Sequence, residues 1–248
     1  MILFPYLRTR RMAVRLREIS LGEAISICRL PADRHEATTT EFLRFAAHNA
    51  ETPTDRHVAD PRLMTVQERA LLVCHYLSQV SDEGADFSVG GDGKLSDYVV
   101  FDADLMVDQT PVGEVAGVPY IFKPLLGVHA EILERLCSGR GDWLIGLMAC
   151  QMHPSEDLAP DYSAMTDPQL LEWCKGRMDI IRAMPESDFE ALYVEYSAGS
   201  VKLKHYFSVN VDGDGLVFEP QGTEAGNQYP ARFRALSCVS PATRRLFG

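Results

Sequence analysis

The order of patterns along this chain predicts an α+β fold, with a helical middle, an N-terminal β-hairpin and a C-terminal antiparallel β-hairpin. Three observations carry that expectation. Apolar residues alternate near the start, capped helical stretches fill the centre, and a VDGDG turn separates two β-type runs within the last 50 residues.

Taken in order, the first 17 residues hold five arginines (Arg8, Arg10, Arg11, Arg15 and Arg17) and no acid, so the remaining 231 residues carry a net charge of -16. Residues 1–17 therefore read as a basic arm with the apolar anchors Ile2, Leu3, Phe4 and Tyr6. From Ala13 to Leu30 the alternation of Val14, Leu16, Ile19, Ala24 or Ile25, Ile27 and Cys28 reads as two antiparallel strands turning near Ser20 to Gly22. Pro31 ends the second strand. His35 to Ala50 then reads as a helix with Phe42, Leu43, Phe45 and Ala46 on one side. Thr65 and Glu68 have capping-box spacing, so a further helix starts there with Leu71, Leu72, Cys74, His75, Leu77 and Val80.

Residues 81–118 change character, with six glycines among acids, and read as a loop-rich connector. Val118 to Lys123 follows as a strand, then helices over Val128–Leu136 and Trp143–Met152. Asp167 is placed to cap a helix running to Ala183, with Pro168 in its first turn. Ser187 caps another, starting at Glu186 and covering Phe189 to Tyr196. Val201–Val211 and Leu216–Glu219 make the terminal hairpin, and Phe233–Val239 reads as an added strand. The expected organisation is an arm at 1–17, a strand-helix module at 18–82, a connector at 83–117 and a helical module with terminal hairpin at 118–248. The segments AISICRLPADRHEATTTEFLRFA and PYIFKPLLGVHAEILERLCS share a basic residue (Arg29, Lys123), a Leu/Pro break and a helix opening with His and Glu (His35 and Glu36; His129 and Glu131), suggesting two related strand-turn-helix modules.

Composition bounds the function. With 248 residues, 46% of them hydrophobic, the chain has material for a genuine core, which excludes disordered and collagen-like classes. A net charge of -11 opposes binding to nucleic acid through phosphate neutralisation. Apolar runs such as Leu144–Cys150 fall far short of the roughly 20 residues a membrane span requires. The N-terminus has its apolar stretch before the arginines, the reverse of a secretory signal, and six scattered cysteines fit reduced thiols, so synthesis in a cytoplasm is expected.

Metal chemistry has one candidate set: Cys137, Cys150, His153 and Cys174 are zinc-ligand types, and two residues separate Cys150 from His153, but the second tight pair of a zinc site is missing. Asn210, Asp212, Asp214 and Gly215 follow the start of a calcium loop, yet Gln221 stands where the bidentate carboxylate belongs, and a hairpin turn explains the acids better. Gly90, Gly91 and Gly93 lie among acids that would repel a phosphate. Asp102 and Asp104 read as a solvated loop, and His75 as a packed or partly exposed helical residue. No nucleophile elbow, zincin motif or phosphate loop is present. The expectation is a protein with no catalytic residue and no cofactor. Aromatic and Arg side chains near the two chain ends, by contrast, are the types that dominate interface energy.

RLREISLGEAISICRLPADRHEATTTEFLRFA followed by LMTVQERALLVCHYLSQV resembles tailed-bacteriophage baseplate and tail-assembly proteins of the hub-assembly type, over about residues 14–80, with a weaker echo in IFKPLLGVHAEILERL. The resemblance implies a structural part of a virion tail, made in the host cytoplasm, that binds other tail or baseplate proteins or copies of itself in a symmetric ring. On this reading Phe4, Tyr6, Arg8, Arg10 and Arg11 form the interface, the arginines reaching an adjacent subunit and the two rings filling its surface pocket. Two alternatives remain open: a tail-assembly chaperone absent from the mature virion, and a metal-dependent hydrolase using the Cys/His set.

Overall fold

A computed structural model describes residues 2–47, 58–101, 108–157, 159–203, 205–221 and 228–248. The chain opens with β1 (Tyr6–Arg8) and β2 (Ala13–Arg15), paired antiparallel with Tyr6 opposite Arg15 and Arg8 opposite Ala13. The arm at 1–17 is thus itself the N-terminal hairpin and supplies both of its strands. Where a second strand was expected, α1 (Leu21–Cys28) forms instead. Ser20 and Glu23 build a capping box at its start, and Ala24 and Ile27, one turn apart, are buried. In so short a segment the apolar spacing fits both periods, and the cap decides.

Next come α2 (His35–Ala46) and α3 (Val66–Val80), the latter starting at the expected Thr65–Glu68 capping box. The expected connector contains structure: β3 (Ser88–Gly90) and β4 (Gly93–Lys94) form a hairpin whose turn holds Gly90 and Gly91 at positive φ. Beyond it, β5 (Thr110–Val115), β6 (Val118–Phe122), α4 (Gly127–Leu136), α5 (Arg140–Gln151) and β7 (Met152–Pro154) follow, with a sheet ordered β5-β6-β7. α6 (Asp167–Arg182) is capped by Thr166 rather than Asp167, in a capping box with Gln169, and Pro168 sits in its first turn. α7 (Glu186–Lys202) is preceded by Pro185, holds Ser187 within its first turn rather than at its cap, and takes in only Val201 and Lys202 of the stretch expected as strand. The terminal hairpin is β8 (Ser208–Asp212) with β9 (Gly215–Glu219), joined by the two residues Gly213 and Asp214. Phe233–Val239 forms no strand; residues Ala235–Cys238 make a 3₁₀ turn before α8 (Pro241–Phe247), while Ala231 bridges to Phe218.

The architecture is α+β, with two hydrophobic cores. The first gathers Val14, Ile27, Phe42, Leu72 and Tyr98 from the N-terminal part, joined by Phe207, Phe218 and Phe233 from the C-terminal part. The second gathers Phe122, Leu133, Trp143, Leu147 and Cys174, and takes Val211 and Leu216 from the same terminal hairpin. The hairpin thus contributes to both cores. Gly215, at positive φ, lets β9 pass close to the Trp143 ring.

α3 and α4 also join the cores. Val66 N–H donates to Leu125 O (2.9 Å), and Gly127 N–H donates to Met64 O (2.8 Å). Around this seam lies a charged layer. Arg69, 1% exposed along its side chain, sits 3.3 Å from Glu36, and Arg62 lies 3.1 Å from Glu131, which also accepts from Thr40. Glu134 accepts from the Glu36 N–H (2.8 Å) at the start of α2, where a helix terminus favours an anion. The two expected related modules meet here through α2 and α4, but α2 is preceded by a helix and α4 by a strand, so the strand-turn-helix grammar is not shared.

Candidate assembly surfaces

The arm hairpin separates the predicted interface residues into two sets. Leu7 and Val14, a cross-strand pair, lie on one face; Tyr6, Arg8 and Arg15 lie on the other, with Tyr6 directly opposite Arg15. Tyr6 is 44% exposed, and Arg8, Arg10 and Arg15 are exposed. Phe4 does not join them. Its ring stacks on Tyr76 with centroids 4.8 Å apart and lies inside the first core, where burial of a large apolar ring outweighs display. Arg11 also turns inward, donating to Leu63 O (3.2 Å) and lying 3.6 Å from the buried Glu68 carboxylate. His75 anchors the segment through Nε2 and Pro5 O, 2.9 Å apart. The strand face is therefore held on a packed support. Beside it, residues 2–5 and 15–18 enclose an open groove of about 650 Å³.

A second surface lies on α7, which the sequence reading did not predict. α7 buries Leu192, Tyr196 and Gly199, the last so close to β6 that a Cβ there would meet Phe122 at 2.7 Å. Its outer side nevertheless carries exposed apolar residues beyond its first turn: Val194 is 62% exposed, Val201 83%, and Tyr193 is exposed beside Val194. Large apolar residues on the side of a helix opposite its packed stripe are ordinarily covered by something. That signal was present in FEALYVEYSAGSV and could have marked this surface.

The metal-type residues come together only in part. Cys150 and Cys174 Sγ atoms lie 3.8 Å apart, and His153 Nε2 faces Cys150 O at 3.0 Å. Among the described residues no group of three His, Cys, Asp or Glu side chains is placed to hold a metal ion. The hydrogen bond with Cys174 and desolvation raise the Cys150 thiol well above its usual value, and desolvation takes Cys137 to about 12. His153 belongs instead to an aromatic stack, 6.2 Å from Trp173, which also lies 5.6 Å from His129. Desolvation lowers His129 to about 3 and His153 to about 4, so both rings are neutral. Arg177 crosses the Trp173 ring at 5.4 Å and donates to Ala149 O and Met152 O, satisfying carbonyls at the end of α5.

Asp212 serves the terminal turn, accepting from Asp214 N–H (2.8 Å) and pairing with Arg232. Asp102 and Asp104 lie outside the described residues. Between the two cores a cavity of about 330 Å³ is lined by apolar groups and by polar residues that include Gln67, Gln151, Gln221 and His205. The His205 ring contacts Thr65 Oγ1 through Nε2 (3.1 Å), and desolvation lowers its pKa to about 3. Among the described residues no helix is long and apolar enough to cross a membrane.

Comparison of the chain with protein-family models, with curated proteins and with solved structures found no match to any of them.

Proposed function

We propose that this chain is a structural component of a bacteriophage tail baseplate and works by protein–protein contact with other tail subunits. The observation that carries the reading is the outward face of the arm hairpin: a tyrosine and two arginines, mounted on a strand pair whose other face is locked into the core. Tyr and Arg are the side chains that most often dominate binding energy, and a pre-ordered display loses little conformational entropy on docking. The motif resemblance over about residues 14–80 supplies the tail context.

Mass spectrometry of purified tailed-phage particles containing the gene tests this. The chain is expected in the finished tail at a fixed ratio to other baseplate proteins. Presence in assembly intermediates with absence from finished particles would replace the structural role by that of a chaperone. Arg8→Glu with Arg15→Glu is expected to leave folding intact and abolish incorporation; Arg11 is spared because it bonds within the chain's own fold.

A further inference from the structure

We propose that copies of this chain join head to tail, the outer face of α7 from one copy lying in the groove beside the arm hairpin of the next. The inference rests on the assembly reading above and names one partner for it, a second copy.

Charge argues for this occupant. On α7, Glu186, Glu190, Val194, Ser197 and Val201 follow at spacings of four or three, so they lie along one side of the helix. That stripe is acidic at its start and apolar toward its end. Glu186 and Glu190 are exposed and make no ion pair among the described residues. The arm presents the complement. Arg8 and Arg15 are exposed without a carboxylate partner among the described residues and flank Tyr6 on one strand face, and Arg15 also lines the groove, which has the apolar residues Ile2, Leu3 and Leu16 along it. An amphipathic helix laid in an apolar groove, with opposite charges at one end, is a recurring mode of recognition.

Symmetry follows from placement. The arm packs on the first core and α7 on the second, so the two faces are different patches of one molecule. Contact between different patches is heterologous and propagates from copy to copy, closing as a ring or running on as a filament. Size sets the strength. A 17-residue helix is about 25 Å long and offers roughly 400 Å² of outer face, so one junction buries about 800 Å² in total, at the transient end of the range. Association is therefore concentration-dependent, and salt weakens it by screening the Arg–Glu contacts.

Sedimentation velocity of the full chain over a concentration series, at low and high salt, tests the proposal. Wild-type mass is expected to rise with concentration and to fall back in high salt. Arg8→Glu/Arg15→Glu removes one face and Val194→Asp/Val201→Asp the other; both pairs are exposed, and unchanged circular dichroism and melting confirm folding. Each variant alone is expected to stay at the mass of one chain. Mixed together, they retain one intact arm groove and one intact α7, so the mass rises twofold and stops. A wild-type chain that stays monomeric throughout, an arm variant that assembles like wild type, or a mixture that forms no dimer would each overturn head-to-tail joining. The outcome is separable from the baseplate reading: a monomeric chain found in finished tails defeats this inference alone, and a self-associating chain missing from tails defeats only that reading.

Discussion

Replacing Arg69 with Met puts the charged seam between α2, α3 and α4 to a quantitative test. The guanidinium donates through Nη2 to Glu36 O (2.5 Å) and lies 3.3 Å from the Glu36 carboxylate, with a side chain only 1% exposed. Two further nitrogens, Nε and Nη1, are buried without a hydrogen-bond partner, and Gly127 leaves the room in which Nη1 sits. Removing the cation strands Glu36 near Glu131 and Glu134, charges of its own sign. Breaking a buried pair from one side costs about 3–5 kcal/mol. At about 2–4 °C per kcal/mol for a chain of this length, melting should fall by about 6–20 °C. Urea unfolding and calorimetry at pH 8 read the loss. At pH 5 it should shrink, because the abandoned carboxylate can take up a proton; desolvation already pushes Glu36 upward and carries Glu134 to about 7. The double variant Arg69→Met/Glu36→Leu should recover most of the stability, since an apolar pair of similar volume substitutes well for a buried ion pair. A single variant within about 1 kcal/mol of wild type at pH 8 would mean that the pair behaves as a solvated surface bridge, and the reasoning would fail.

Three more outcomes follow from the same geometry. His129, His153 and His205 are held at about 3, 4 and 3 by desolvation, against 6.5 when unfolded, so the unfolded chain binds more protons below pH 6.5 and stability falls as pH drops from there toward about 3. Glu134 acts oppositely between pH 7 and 4.5, where the folded state holds the extra proton; a pH series of unfolding free energies should show a shallow decline above 4.5 and a steeper one below, and Glu134→Gln should steepen the upper part. Gly199→Ala drives a methyl to 2.7 Å from Phe122, and chemical denaturation should register a loss of about 1–3 kcal/mol as α7 is forced off β6. Thr65→Ala removes a fully buried cap that accepts from Glu68 N–H (3.1 Å) and contacts His205; its cost should approach about 2 kcal/mol and exceed that of Ser20→Ala at the exposed cap of α1, a ranking that thermal melts can reverse or uphold.

Features that the chain settles within a few residues were legible before any fold was known. Thr65 reaches Glu68 across one helical turn, and Gly213–Asp214 turns a two-residue loop, so the start of α3 and the terminal hairpin were read directly. The same signature stands at Ser20 and Glu23 and marks the start of α1, where the apolar alternation fits a short helix as well as a strand. The glycines of the acidic Gly90–Gly93 stretch serve a hairpin turn, and the flanking strands are too short to carry a period of their own.

Side-chain destination is another matter. Phe4 and Tyr6 are two residues apart with similar rings, yet Tyr76, 70 or more positions away, draws one into the core while the other stays on the surface. Arg69 meets Glu36 across 33 residues, and Cys150 meets Cys174 across 24; no local period encodes either encounter. By itself, the sequence determined the α+β class, the capped helices, the terminal hairpin and the opposition of a basic start to an acidic body, because each depends on hydrogen bonds or charge sums along neighbouring residues. Only the tertiary structure decided which arm residues face outward, that the hairpin serves both cores, and that α7 keeps an apolar side in solvent, because burial is a competition among distant surfaces and is resolved only when they pack.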